Sequence, residues 1–585
     1  MRVFSGSRLR RLLALGLVAG LAACGSTTTF RPRVTDDQTR SGGTLYGDFL
    51  VATYAGNTRD SRVAAARYLA ALERDPTNQA LLERAFIFSV AAGDMDAASK
   101  LAPLVAKANP VSDLAPLVQG VIALKDKSYP AAKAFFTDSH PPGEPDLMAG
   151  LALAWTAVGS GDVAAARSLL KPTGQPASDV FISYHRARLE EVLNNPAGAD
   201  AAYQSADEAT AGKSLTVALA FSSWLQATSR GDVAEKVLKK FLDSSPGNPV
   251  AVSALARLRA GKPISHRITT PQQGAAEGFY GIASAVSDGD VQDAAIVYLR
   301  LAQFLDPEND GALAFLGGAM ERAKRTDEAI ELYREVPASS PFYVTAQVSA
   351  ADLLDERGDT EEAIKILTRL EEDEATSGLA ASALGDVYRT RERWDDAVDA
   401  YGRAIARSGP DFVPDDWPLF YARGIALERA GRWAEAEKDL RFALKLSPDQ
   451  PQVLNYLAYG WIERHQNVEE ALAMLQRAVE QRPDDGFIID SLGWAYYRLG
   501  QYAKAVETLE LAINFSPYEP TVNEHLGDAY WKTGRQREAQ FLWNHALTLK
   551  PDKVREPIIR AKIAGGLPAG EALERQAATE PARAP

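Results

Sequence analysis

The sequence repeats one pattern at an offset of 34 residues, first over residues 492–517 and again over 526–551. Among the positions that carry the same letter in both copies, Leu492, Gly493, Tyr496, Gly500, Ala505, Ala512 and Pro517 recur as Leu526, Gly527, Tyr530, Gly534, Ala539, Ala546 and Pro551. The repeated residues are small, aromatic or proline, and these types decide how closely two helices pack and where a helix ends. The pattern therefore predicts stacked copies of one small unit.

Each copy has the spacing of two short helices. Apolar and small residues fall three and four positions apart, which places them on one face of each helix. Gly500 and Gly534 stand between the two helices, where a residue without Cβ can adopt a left-handed cap. Pro517 and Pro551 end the second helix, because proline has no N–H to donate and disfavours helix in the residue before it. Each copy is predicted to be a helical hairpin.

This pattern, Leu-Gly-x-x-Tyr followed by two alanines and a proline, resembles the tetratricopeptide repeat (TPR). The same register is seen upstream at Gly385, Tyr388, Ala397, Tyr401 and Ala404, at Ala436, Leu440, Ala443 and Pro448, and at Ala471, Leu475, Ala478 and Pro483. We count about 12 to 14 helix pairs from Leu45 to Pro551, of which the last five are clear and the first six are degenerate. The resemblance implies an all-α fold, a TPR-type α-solenoid wound as a right-handed superhelix. For the degenerate half, related hairpin repeats such as the half-a-TPR form stay open.

Length and charge narrow the function classes. A chain of 585 residues would ordinarily suggest several globular domains. A solenoid removes that expectation, because each repeat is expected to bury its apolar face only against its neighbours. The formal net charge of −13 repels phosphate backbones. We therefore expect no nucleic-acid partner.

The N-terminus predicts where the protein resides. Four arginines precede twelve apolar or small residues, Leu12 to Ala23, and then Cys24, the one cysteine of the chain. Such a run is too short to span a bilayer, and a basic start with a short apolar core predicts a signal peptide over residues 1–23. The ending Leu-Ala-Ala-Cys resembles a bacterial lipobox, which implies cleavage before Cys24 and its modification with fatty acids such as palmitate. Gly25, in place of aspartate, is similar to lipoproteins sorted to the outer membrane, with the chain on the periplasmic face.

The rest of the chain divides by composition and register. The predicted segments are a flexible tether over 24–43, a degenerate N-terminal TPR-like array over 44–260, a linker over 261–274, a C-terminal TPR array over 275–552, a capping helix over 553–573 and a disordered tail over 574–585.

No catalytic motif is found. The chain lacks His-Glu-x-x-His, and the Gly-Lys-Ser at 212–214 has Asp207 where a phosphate-binding loop needs its first glycine. There is no Gly-x-Ser-x-Gly. We therefore expect no enzyme activity, no cofactor, no metal site and no small-molecule substrate.

Binding to another protein is what the architecture favours. In TPR proteins the inner surface, formed by the first helices, commonly receives a peptide or a partner helix, and repeat positions two, five, nine and twelve face it. In the clearest repeats the register gives nine candidate partner-binding residues: Asn455, Tyr459, Ile462, Asp490, Trp494, Tyr497, Glu524, Asp528 and Trp531. The acids favour a basic or neutral peptide over one that binds through its terminal carboxylate. That Trp494 and Trp531 instead pack between repeats stays open.

These observations predict a membrane-anchored TPR scaffold or adaptor. It would bind another envelope protein or peptide on its concave surface, in the assembly or export of envelope components. The alternative is the repeat domain of an envelope enzyme, with a glycan-processing or proteolytic activity and an unrecognised active site.

Overall fold

A computed structural model describes residues 43–139, 147–264, 267–286, 292–372, 377–409 and 412–579. Over these residues the fold is all-α: helices are joined by turns and loops. The predicted signal peptide (1–23), Cys24 and the predicted tether up to residue 42 lie outside the described residues. No helix among the described residues is both long enough and apolar enough to cross a bilayer.

The described residues form 31 α-helices. The first half contains α1 (Leu45–Asn57), α2 (Ser61–Arg74), α3 (Gln79–Ala92), α4 (Met95–Ala108), α5 (Leu114–Lys125), α6 (Tyr129–Asp138), α7 (Leu147–Gly159), α8 (Val163–Leu169), α9 (Pro176–Val192), α10 (Pro196–Ala209), α11 (Leu215–Ala227), α12 (Gly231–Ser244), α13 (Pro249–Arg259), α14 (Pro271–Val286) and α15 (Gln292–Leu305). The second half contains α16 (Asp310–Arg322), α17 (Thr326–Glu335), α18 (Tyr343–Arg357), α19 (Thr360–Glu371), α20 (Ser377–Thr390), α21 (Trp394–Ser408), α22 (Trp417–Arg429), α23 (Trp433–Leu446), α24 (Pro451–Glu463), α25 (Val468–Gln481), α26 (Gly486–Arg498), α27 (Tyr502–Phe515), α28 (Pro520–Lys532), α29 (Gln536–Thr548), α30 (Arg555–Gly565) and α31 (Leu567–Thr579).

The repeated small residues let the two helices of each hairpin approach closely. A Cβ added at Gly493 in α26 would lie 2.6 Å from Leu509 Cγ in α27. Gly527 in α28 has the same relation to Trp543 in α29, whose Cδ1 would lie 2.6 Å away. Larger side chains at these positions would push the helices apart. The hairpins predicted from the 34-residue pattern are confirmed.

The turn inside each hairpin keeps one backbone conformation even where its glycine is missing. Gly500 and Gly534 have φ of 73° and 84°. The equivalent repeat position is held by Arg59, Lys324 and His465, whose φ angles are 62°, 58° and 53°. A side chain with Cβ is strained in this left-handed region. The degenerate repeats therefore preserve the turn although its glycine has been replaced by another residue.

The chain forms two compact units, Met1–Ala383 and Leu384–Pro585. In the first unit, helices far apart in sequence pack together: α14 contacts α7 and α9, and α15 contacts α3 and α5. Lys125 Nζ donates to the carbonyl of Leu305 at 3.0 Å, and Gln272 Nε2 to the carbonyl of Leu124 at 2.8 Å. The expectation that each repeat packs only on its neighbours is wrong for this unit, because α14 and α15 cover helices near its start.

The interruption of the repeat register over 261–274 is a different feature from the boundary between the units. The described residues between α13 and α14 form no helix, and Ile264 and Ile268 in this stretch are buried. The boundary between the compact units instead falls within α20. The division into arrays 44–260 and 275–552 describes the repeat register and stays a prediction.

The C-terminal segment departs from the single capping helix predicted over 553–573. Two helices, α30 and α31, are present, and Gly566 between them has a φ of 76°. Residues 574–579, predicted as part of a disordered tail, belong to α31. The break is at Gly565-Gly566, because glycine readily adopts the left-handed backbone that ends a helix. Residues 580–585 lie outside the described residues.

Candidate protein-binding site

The nine candidate residues lie on the first helices of three consecutive repeats, α24, α26 and α28. We call repeat positions two, five, nine and twelve of α22, α24, α26 and α28 the first-helix face. Six of the nine candidates are buried and not exposed as expected: Ile462, Asp490, Trp494, Tyr497, Glu524 and Asp528. Asn455, Tyr459 and Trp531 are partly buried. The expectation that all nine line an open surface is wrong for the six, because neighbouring repeats and the C-terminal helices cover them.

Trp494 packs between repeats. Its ring stacks on His525 of the next repeat at a centroid distance of 4.0 Å and on Tyr497 of its own helix at 4.6 Å. Trp494 Nε1 donates to Glu463 Oε1 of the preceding repeat at 2.7 Å. Of the two interpretations that the sequence leaves open for Trp494, the structure therefore shows packing between repeats.

A buried ion pair joins α26 to α28. His525 Nδ1 lies 2.9 and 3.1 Å from the two carboxylate oxygens of Asp490. Burial alone lowers the pKa of His525, but the nearby carboxylates, Asp490 foremost, outweigh it and hold that pKa above its ordinary value. The acid that the sequence analysis assigned to a partner thus binds a histidine of the chain itself.

The next two acids of the first-helix face bind the C-terminal helix α30. Lys562 is 1% exposed, and its Nζ lies 2.7 Å from Glu524 Oε1 and 2.6 Å from Asp528 Oδ2. Arg555, at the start of α30, donates from Nη2 to Glu524 Oε1 at 2.5 Å and from Nε to Oε2 at 3.1 Å. Two basic residues spaced seven apart reach the same face of a helix. Helix α30 is therefore a basic occupant of this part of the face.

Burial and charge set the ionisation of this cluster. Burial raises the pKa of Asp528 to about 6, although Lys562 opposes the rise. Burial also acts to raise the pKa of Glu524, but Lys562 and Arg555 outweigh it and hold that pKa below its ordinary value. The pKa of Lys562 is lowered by burial but raised more strongly by the two carboxylates. At neutral pH the two carboxylates therefore face two positive charges, the ammonium of Lys562 and the guanidinium of Arg555.

Trp531 is covered by the segment that joins α30 to α31. A Cβ added at Gly566 would lie 2.4 Å from Trp531 Cζ2, so only glycine fits against the indole there. The Trp531 ring also lies 5.4 Å from that of Trp543 in α29. Helix α30 and the segment that follows it thus cover Trp531, Glu524 and Asp528 of the last repeat.

The upstream part of the first-helix face is less covered. Phe487, at position two of α26, is 55% exposed. Tyr459 and Asn455 in α24 and Tyr421 in α22 are partly buried. Phe487 is absent from the nine predicted residues, although the repeat register places it on the same face. The accessible part of the face consists of aromatic and amide side chains next to an acidic part that already holds a basic helix.

No group of three or more His, Cys, Asp or Glu side chains within the described ranges is arranged to hold a metal ion. The expectation that the chain is not an enzyme stays a prediction.

Family comparison supports the repeat assignment. The tetratricopeptide repeat matches residues 284–344, 348–411, 421–486 and 521–553, and a TPR repeat description also matches 493–534. The chain therefore contains tetratricopeptide repeats, and the predicted all-α solenoid of this type is confirmed.

Similar proteins match only in part. A TPR repeat-containing protein of Pseudomonas aeruginosa is 30% identical over 213 residues, which is 36% of this chain and 34% of that protein. The cytochrome c-type biogenesis protein CycH of Rhizobium meliloti is 36% identical over 109 residues, 18% of this chain and 28% of its own. A human protein O-mannosyl-transferase is 26% identical over 183 residues, 31% of this chain and 20% of its own. The chain thus spans about a third or less of each relative.

Among solved structures, MamA from Desulfovibrio magneticus is similar at 21% identity, over 30% of this chain and 94% of MamA, with a TM-score of 0.26. A TM-score this low adds nothing to the fold assignment.

Proposed function

We propose that the protein is a lipid-anchored adaptor of the outer membrane, on its periplasmic face, whose repeats bind another envelope protein. The lipobox-like sequence before Cys24 supports the anchor, and the repeats support protein binding. The relative named for cytochrome c biogenesis is consistent with a role in assembling envelope components. The human transferase keeps a repeat domain of an enzyme as the alternative, but only 20% of that relative is matched.

The observation that carries this proposal is the seating of α30 on the first-helix face. Lys562 and Arg555 bind Glu524 and Asp528 over distances of 2.5 to 3.1 Å. The face therefore has the chemistry to hold a basic helix, since charge-assisted hydrogen bonds to buried carboxylates are strong and directional. An amphipathic helix can bind a groove of this kind through its apolar face, and we infer that the part of the face upstream of α30 binds a partner in this way.

The charge of the partner follows from the acids of this face. Two more acids lie upstream, Glu428 at position twelve of α22 and Glu463 one position beyond the face in α24, although both already accept from arginines of the chain. A segment that ends in a carboxylate would be repelled by these acids, whereas lysine and arginine side chains would be attracted. Phe487 and Tyr459 add aromatic area of the kind that anchors a partner. We infer that the partner presents a basic amphipathic helix or peptide.

In-cell crosslinking tests the proposal. A photoreactive amino acid replaces Phe487 in the full chain, and the matched control carries it at Tyr518, which is 77% exposed in the turn between α27 and α28. We expect one envelope protein to be captured from position 487 and not from 518. Equal capture from both positions, or none from 487, would contradict binding on the first-helix face.

The anchor is tested separately. The Cys24→Ser variant is expected to lose labelling by a radioactive fatty acid and to leave the membrane fraction or accumulate as a precursor. The anchor would be refuted if the variant still fractionates with the membrane and the unsubstituted chain takes up no radioactive fatty acid. That result would not bear on the binding face.

A further inference from the structure

The first described helix, α1, exposes an apolar stripe. Tyr46, Leu50 and Tyr54 follow one another at intervals of four residues and are 77%, 66% and 71% exposed. Residues spaced by four lie above one another on a helix, so the three form one continuous strip. The opposite side of α1 is buried through Asp48, Ala52 and Ala55. The strip is therefore not the side by which α1 packs on the repeats.

The exposed side of α1 carries no charge. The only ionisable side chain of the helix besides its tyrosines is Asp48, and it is buried. Its carboxylate lies 3.0 Å from Arg67 Nη1 and 2.5 Å from Arg74 Nη1, both in α2. A helix that is apolar on every side is normally buried on every side. The end repeat of a solenoid normally has a polar outer face for solubility, so the apolar outer face of α1 calls for a cover.

The sequence between Cys24 and α1 has little apolar surface to offer as that cover. Between Cys24 and Thr44 the only large apolar residues are Phe30 and Val34, in a sequence otherwise rich in threonine, serine, glycine and charged residues. Two such residues are too few to cover three large side chains. The apolar run from Leu12 to Ala23 belongs to the predicted signal peptide, which would be removed.

A lipid surface lies within reach of the strip. Twenty residues separate Cys24 from Leu45. A flexible linker of that length has a root-mean-square span of roughly 25 Å. If Cys24 carries acyl chains, α1 is held within about that distance of the bilayer surface. Tyrosine is one of the side chains enriched at the level of lipid headgroups, because its ring is apolar and its hydroxyl is polar.

We propose that α1 lies along the membrane interface and that its ligand is the lipid bilayer, contacted through Tyr46, Leu50 and Tyr54. This inference rests on the proposed acylation of Cys24, which brings the strip to the surface. The apolar contact of a short helix is weak alone and becomes effective when an acyl anchor adds to it. The consequence is that the first repeat is fixed against the membrane and does not swing freely on its tether.

A fluorescent label tests this contact. The full acylated chain is reconstituted in phosphatidylethanolamine and phosphatidylglycerol vesicles, with Leu50→Cys labelled by an environment-sensitive nitrobenzoxadiazole dye. The label is specific because Cys24, the one native cysteine, would be acylated. We expect its emission to shift to the blue and to be quenched by nitroxide-labelled lipids. The matched control, Tyr518→Cys, lies in the second unit and is 77% exposed; we expect neither effect there.

The outcomes separate this inference from the proposed function. If the chain floats with the vesicles but the Leu50 label is not quenched, α1 does not contact lipid and only this inference fails. If the unlabelled chain does not float, the anchor is absent, and this inference fails together with the anchor of the proposed function but not with its binding face. A third outcome would overturn the lipid contact: two unlabelled Leu50→Cys chains form a disulfide with each other, and the labelled chain shows no lipid quenching. The strip would then bind a second copy of the chain.

Discussion

The buried ammonium of Lys562 gives the most specific prediction about the C-terminal helices. Its Nζ is held between Glu524 and Asp528, and all three side chains are 3% exposed or less. Lys562→Met keeps most of the apolar stem but leaves Glu524 with Arg555 and Asp528 with the indole N–H of Trp543 as their remaining donors. Removing one partner of a buried ion pair costs about 3–5 kcal/mol, because the remaining charge is buried without compensation.

The chain offers a matched control at the same interface. Lys532 of α28 pairs with Glu571 of α31 at 3.2 Å, but both side chains are about one third exposed. Such a pair contributes less than about 1 kcal/mol. Hydrogen exchange of the α30 and α31 amides measures the undocking of these helices locally. We expect Lys562→Met to accelerate it by roughly two hundred- to five thousandfold and Lys532→Met by less than about tenfold.

The defect of Lys562→Met should depend on pH in a defined direction. Without the ammonium, the pKa of Asp528 in the docked state rises further above that of the undocked chain, and the pKa of Glu524 rises as well because Lys562 no longer lowers it. The docked state then binds more protons, so docking is favoured as pH falls and lost as pH rises. Exchange in the variant should slow from pH 8 to pH 5 once corrected for the intrinsic rate. Equal effects of the two lysine substitutions, or a variant insensitive to pH, would refute the role assigned to Lys562.

Three further predictions concern the repeats and the acidic cluster. Because the pKa of Asp528 is raised to about 6, the stability of the last repeat should fall by up to about 3 kcal/mol as pH rises from about 4 to 6. Chemical denaturation at several pH values should show this fall, and Asp528→Asn should remove it. Ala505→Leu should overpack the α26–α27 hairpin, cost about 1–3 kcal/mol and lower the melting temperature; an unchanged melt would mean that the register is wrong. Lys324→Gly should stabilise the chain by up to about 1 kcal/mol because it relieves a φ of 58°, whereas Ala323→Gly, at a φ of −75°, should destabilise it; denaturation midpoints that move in the same direction for both would contradict the strain argument.

The hairpins could be predicted from sequence because their packing is local. Gly493 meets Leu509 only sixteen residues later in the chain, so the 34-residue period records that contact directly. Proline and glycine mark the ends of the helices for the same reason. Where glycine is replaced, as at Arg59 and Lys324, the turn keeps its left-handed backbone and is strained. The residue type alone does not predict that conformation.

The covering of the candidate residues could not be predicted, because it depends on contacts between distant segments. The repeat register assigned Glu524 and Asp528 to the first helix, and they are there. The cap predicted over 553–573 is the segment that covers them, but the register gives no information that its basic residues pair with these two acids. Lys562 lies 34 and 38 residues further along the chain, outside the repeats, although its spacing from Arg555 was a signal that a basic helix follows. The packing of α14 and α15 on the start of the first unit was missed for the same reason.

The burial of these acids also changes how the binding face should be probed. Reversing the charge of Asp490 or Glu524 would remove a partner of His525 or of Lys562 and so would disturb folding as well as binding. Exposed residues of the same face, such as Phe487, report on binding without this complication.

The most direct test of the binding face is to sequence the peptide that crosslinks to a photoreactive residue at position 487 in living cells. The account predicts a segment of an envelope protein that is rich in lysine and arginine and amphipathic as a helix, as the chain's own α30 is with Arg555 and Lys562. An acidic segment, or one that binds through its terminal carboxylate, would contradict it.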